Sequence, residues 1–112
     1  MTGGLQDIAP QEVKYAVINA AASGTATVVA AVTGKRIRVL SYVACSGGNT
    51  TVEWFSDDGS GTALSGAMNL QGIDQITVAY SPDGQFQTVS GEALAVTVGG
   101  NIIRGHLSYI EI

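Results

Sequence analysis

Residues 35–45 read Lys-Arg-Ile-Arg-Val-Leu-Ser-Tyr-Val-Ala-Cys, a run that alternates along an extended chain. Ile37, Val39, Val43 and Cys45 fall on one face, and Arg36, Arg38, Leu40, Tyr42 and Ala44 on the other, because successive strand side chains point to opposite sides. The run predicts a strand. Leu40 and Tyr42 make its second face partly apolar, so both faces are expected to be covered.

Outward from this strand the same rhythm recurs. Residues 13–19 and 25–32 precede it, separated by Ala22-Ser23-Gly24 and closed by Thr33-Gly34, read as a hairpin turn. Ser46-Gly47-Gly48-Asn49 leads into 50–56, where Val52 and Trp54 are expected inward and Glu53 and Phe55 outward. The weaker stretch 62–70 reads as an edge strand or an irregular crossover. Residues 75–80 alternate again, Ser81-Pro82-Asp83-Gly84 has the residue order of a type I turn, and 85–89 follow as a strand. In 92–98, Leu94, Val96 and Val98 share one face and Ala93, Ala95 and Thr97 the other. Residues 102–112 complete the pattern, with a bulge or bend expected near Gly105.

These short runs, with no βαβ rhythm, predict an all-β chain: an eight-stranded antiparallel jelly-roll sandwich over 13–112, with an eight-stranded barrel as the other candidate. Residues 1–12 contain Gly3, Gly4 and Pro10, lack a period, and are expected to form an extended N-terminal arm.

Composition narrows the function. Only 12% of the 112 residues are charged and mean hydropathy is +0.27, against about 25% charged in ordinary soluble proteins. A chain of this size has limited core volume, so the missing charge points to subunit contacts. The small or apolar pairs Leu40 and Tyr42, and Ala93 and Ala95, are therefore candidate subunit-interface residues. A net charge of −4 argues against a nucleic-acid partner. No basic segment followed by a long apolar run opens the chain, and no 18-residue apolar stretch occurs; a product made inside the cell, without membrane partners, is expected.

Enzymatic constellations are not found. His106 has no Ser in a G-x-S-x-G setting, and one His with one Cys cannot build a four-ligand zinc site. Cys45 is expected to be a buried, reduced thiol. Asp57-Asp58-Gly59-Ser60-Gly61 lacks the spacing of a calcium loop. Glu53, Asp57, Asp58, Asp74 and Asp83 contain no pair singled out by spacing for glycoside hydrolysis. Trp54, Phe55 and Tyr80 offer either core aromatics or a sugar-stacking platform. Asn49-Thr50-Thr51 fits a glycosylation pattern without a secretory context. No catalytic residue, metal or cofactor is expected.

The blocks Ala16-Val17-Ile18-Asn19-Ala20, 29–42, 62–68, Ser81-Pro82-Asp83-Gly84, Gly91-Glu92-Ala93-Leu94 and Gly105-His106-Leu107-Ser108-Tyr109 resemble small structural proteins of tailed phages, the jelly-roll capsid decoration or cement proteins. The resemblance spans most of 15–110. It implies a homotrimer on the outer capsid surface, assembled in the host cytoplasm, that clamps capsomers of the major capsid protein. In that setting Leu5, Ile8 and Pro10 of the arm, with Lys35 and Arg36, are candidate capsid contacts. A closed ring of three would bury Leu40, Tyr42, Ala93 and Ala95. A phage tail or fibre tip binding host glycans is the alternative.

Overall fold

The alternation is realised as strands throughout the computed structural model, which describes residues 12–21, 23–57 and 61–112. Among these residues ten strands and no helix form: β1 (Lys14–Ala20), β2 (Gly24–Val29), β3 (Ile37–Ser46), β4 (Thr50–Ser56), β5 (Thr62–Ala63), β6 (Met68–Leu70), β7 (Gln75–Val78), β8 (Phe86–Gln87), β9 (Leu94–Val98) and β10 (Ile103–Glu111). The predicted arm lies outside the described residues, except for exposed Glu12.

Two antiparallel sheets pack as a sandwich. Sheet A runs β1-β10-β3-β7 with β8 also on β3, and sheet B runs β2-β9-β4-β5 with β6 also on β4. Ten elements arise because two edges are broken. β7 and β8 line successive parts of β3, with 79–85 looping out between them. β5 and β6 line successive parts of β4, with 64–67 between them. The stretch 62–70 is thus an edge. The Ser81-Pro82-Asp83-Gly84 turn closes as read, through a bond from Gly84 N to Ser81 O of 3.0 Å.

Thr33-Gly34 also turns, with Lys35 N donating to Val32 O at 3.0 Å and Gly34 at a φ of 74°, a left-handed value natural to glycine. It does not close a hairpin, however. β2 belongs to sheet B and β3 to sheet A, so the turn carries the chain across the sandwich.

The core lies between the sheets. Ile18, Ile37, Val39, Ile103 and Leu107 come from sheet A, and Val52, Trp54, Leu94, Val96 and Val98 from sheet B. At its centre the ring of Tyr42 meets Trp54 edge-on at 5.2 Å, and Phe86 lies 5.7 Å from Trp54. Burial pushes the Tyr42 hydroxyl above its ordinary pKa, and the neighbouring Trp54 N–H opposes that rise. Trp54 Nε1 is buried without a hydrogen bond of ordinary geometry.

The faces predicted for β3 need one correction. Ser108 pairs with Ser41 but Tyr109 with Val39, so Leu40 is an extra residue and β3 is bulged there. Ile37 and Val39 point inward before the bulge, and Tyr42, Ala44 and Ser46 are the buried set after it. Val43 and Cys45 therefore turn outward, and Cys45 is exposed rather than buried. No bulge falls at Gly105 itself, since β10 keeps one register with β1 through it; the shift in β10 pairing comes at Ser108/Tyr109, against Leu40. Glycine is required there for another reason: a Cβ would collide with the Val43 carbonyl oxygen.

Trp54→Ala is expected to lower unfolding stability by about 3–5 kcal/mol in denaturant titration, the range for removing a large core aromatic. Gly105→Ala, which must push β10 away from β3, should lower the thermal midpoint sharply. A midpoint unchanged from the parent would contradict the close approach.

Candidate functional site

Functional surface on this sandwich is built from whatever its strands turn outward. On sheet A the registers place Asn19, Arg104, Cys45 and Gln75 in one row, Val17, His106, Val43 and Thr77 in the next, and Tyr15, Ser108 and Ser41 in a third. Tyr15 and Val17 are 76% and 73% exposed, although each would gain by burial. Ser41 and Ser108 share a hydrogen bond of 2.6 Å between their hydroxyls, which closes the third row. Arg104 is the charged side chain in these rows, and His106 adds an imidazole. The face is mixed in composition: Tyr15, Val17, Val43 and Cys45 stand among amide and hydroxyl side chains, with little charge.

The four sequence-chosen interface residues lie elsewhere. Tyr42 is in the core, and Leu40, Ala93 and Ala95 are 2%, 9% and 0% exposed within the single chain. Leu40 sits in the bulge, its carbonyl accepting from Ser81 N and from Gln85 Nε2. Ala95 is flanked by Thr27 and Phe55 on sheet B. None of the four offers free area to a neighbour. Sequence reasoning missed Tyr15 and Val17, whose alternation with Ala16 and Ile18 was the available signal.

Of the capsid-contact candidates, Leu5, Ile8 and Pro10 lie outside the described residues. Lys35 and Arg36 are exposed where the chain crosses from β2 to β3. Arg36 exchanges backbone hydrogen bonds with Ile112 at 2.8 and 3.0 Å, so the basic pair is held beside the end of β10. Lys14 pairs with Glu111 at 3.2 Å, which raises the Lys14 pKa, chiefly through the hydrogen bond; the pair is partly exposed and contributes little.

The chemical candidates do not assemble. Trp54 is wholly buried, Phe55 points out of sheet B, and Tyr80 is 60% exposed in the loop between β7 and β8, so no aromatic platform forms. His106 stands exposed between Val17 and Val43. Asp74 offers its backbone to Ser46, Glu53 lies on β4, and Asp83 is in the turn after β7. Among the described residues no group of three His, Cys, Asp or Glu could hold a metal. No described helix is long and apolar enough to cross a membrane.

A shallow depression of about 320 Å³ opens on sheet B, lined by Asn49, Thr51, Asn69, Gln71 and the Gly99-Gly100 turn among others. Two of its polar groups are engaged: Asn49 Oδ1 accepts from Gly72 N at 2.6 Å, and Thr50 Oγ1 accepts from Gly100 N at 3.1 Å. Its glycines serve loop packing, since a Cβ on Gly100 would press on the Asn49 carbonyl.

Comparison with family models, with curated proteins and with solved structures finds no match for this chain.

Exposure of Cys45 has a direct consequence in solution. In the folded protein a thiol-specific reagent should label it within about tenfold of the rate in denaturant, as expected for an accessible thiol. Protection in dilute folded protein would return Cys45 to a buried position and undo the bulge at Leu40.

Proposed function

We propose that this chain is a virion structural protein, a capsid decoration or cement protein that self-associates on the outer head surface and stabilises contacts between capsomers. The observation that carries the reading is the outer face of sheet A, where Tyr15 and Val17 stand in the open beside Val43 and Cys45. With only 12% charged residues in the whole sequence, such a face is suited to continuous contact with other protein rather than to life as a free monomer. The resemblance over 15–110 to tailed-phage decoration proteins supplies the setting, a homotrimer bound to the major capsid protein. The role involves no catalytic step and no cofactor.

The strand order supports the jelly-roll form of the sandwich. Taking β5 with β6 and β7 with β8 as single broken edge strands gives eight, arranged 1-8-3-6 and 2-7-4-5 in two four-stranded sheets. Each link crosses between sheets, save the one from β4 to its neighbour β5. This order is the one expected of a double Greek key, which supports the jelly-roll reading.

The alternative of a tail or fibre tip that binds host glycans loses its aromatic platform with the burial of Trp54 and keeps only the amide-lined depression on sheet B.

Copy number tests the assignment. In gradient-purified particles from the source, on the order of hundreds of copies are expected, as symmetric decoration of a closed shell requires. A handful would move the protein to the tail, and none would end both readings. Deleting residues 1–11 should leave a folded protein that binds heads more weakly; undiminished binding would remove the arm from the contact.

A further inference from the structure

Each sandwich sheet has two edges, and an edge strand presents unpaired backbone groups to any strand that can lie beside it. Among the described residues three of the four edges are interrupted. The β7 and β8 edge is split by the excursion 79–85, and the β5 and β6 edge by 64–67. β2 shifts register between Thr27 and Val29. β1 differs from all of them: its seven residues hold one register against β10, from Lys14 opposite Tyr109 to Ala20 opposite Ile103. It carries no proline and no bulge, and its single charge, Lys14, is already paired with Glu111 of the same chain.

We infer that β1 is a self-association edge, where a second copy of this chain adds its own β1 antiparallel across a two-fold axis and joins the two A sheets into one. A second copy is the occupant for two reasons. Among the described residues the one uninterrupted edge strand of matching length is β1 itself, which makes the contact isologous. Full overlap of Lys14–Ala20 also fixes the register, because pairing residue 14 with residue 20 of the other copy sets Val17 opposite Val17. In that register Lys14 faces Ala20, so no charge meets its own image. Tyr15 falls beside Asn19 of the other copy, and the exposed Tyr15 and Val17 side chains of both copies form one apolar row over the joint.

This contact goes beyond the decoration reading and does not rest on it. A two-fold joint pairs chains whatever larger ring they form, so it would link one trimer to the next in a decorated shell.

The test uses single cysteines in a Cys45→Ser background under mild oxidation, read as covalent dimer on a denaturing gel. Directly opposed residues of an antiparallel pair have Cβ atoms about 4.5–5.5 Å apart, close to the reach of a disulfide. Val17→Cys is expected to cross-link to itself efficiently. A mixture of Tyr15→Cys and Asn19→Cys chains should give more dimer than either alone, and Tyr80→Cys, exposed on the far edge, should give background only. In parallel, Val17→Lys sets two like charges face to face and should weaken association in sedimentation by at least about tenfold. Its thermal midpoint should be unchanged, because Val17 is exposed. Cross-linking at Val17 no greater than at Tyr80, or association untouched by Val17→Lys, overturns the inference. Neither result bears on copy number in particles, so the two proposals fail separately.

Discussion

One extra residue in β3 decides which side chains this molecule shows to its surroundings. With Leu40 bulged out of the pairing to β10, the inward set changes from Ile37 and Val39 to Tyr42, Ala44 and Ser46 along a single strand. Without the bulge, Tyr42 would leave the core and Trp54 would lose its edge-on partner. Val43 would turn inward with Cys45, and the outer rows of sheet A would lose the neighbours of His106 and Arg104. A single-residue slip moves every later side chain to the opposite face, so the bulge couples the packing of the aromatic centre to the makeup of the surface. The excursion 79–85 holds it in place, since Ser81 N and Gln85 Nε2 both donate to the Leu40 carbonyl.

The broken edges are finished with side chains where strand pairing stops. Between β5 and β6, Ser65 Oγ accepts from Trp54 N at 3.0 Å, doing what a strand carbonyl would have done. Between β7 and β8, Gln85 Nε2 bridges Leu40 O and Ala79 O. Buried hydroxyls tie the ends of the sandwich in the same way: Thr88 Oγ1 accepts from Ile37 N at 2.9 Å, and Ser56 Oγ donates to Glu92 Oε1 while accepting from Val89 N. Buried polar groups are costly unless paired, so these bonds let the loops cross the sandwich ends without leaving orphaned backbone.

Much of this was legible in the sequence wherever one face is apolar and the other is not. Leu94, Val96 and Val98 against Ala93, Ala95 and Thr97, or Val52 and Trp54 against Glu53 and Phe55, announce both strand and orientation. The bulge was not legible, because Leu40, Tyr42 and Ala44 are as apolar as Val39, Val43 and Cys45. Alternation cannot choose between two phases when both faces qualify. The same ambiguity directed attention to Leu40, Tyr42, Ala93 and Ala95 as interface residues. Small or apolar residues on an outward face imply cover, but the cover is supplied here within the chain. Thr33-Gly34 misled in a different manner: turn chemistry is local, whereas a hairpin and a crossover differ only in which sheet the next strand joins.

The contrast among edges bears on why the charge content is so low. Proteins that keep sheet edges from meeting use charge, proline, bulges or short strands. Three edges of this sandwich use bulges and interruptions, which cost no charge and leave their flanking faces free to remain apolar. The device is absent at β1, whose exposed row carries Tyr15 and Val17 where an edge lysine would be the ordinary protection. A chain selected only to remain monomeric gains nothing from leaving one edge open after closing three, since a single long, flat, apolar edge is enough for uncontrolled pairing. Leaving one edge open is consistent with controlled pairing: a single permitted strand addition, of fixed register, which closes after one partner because both edges are then consumed.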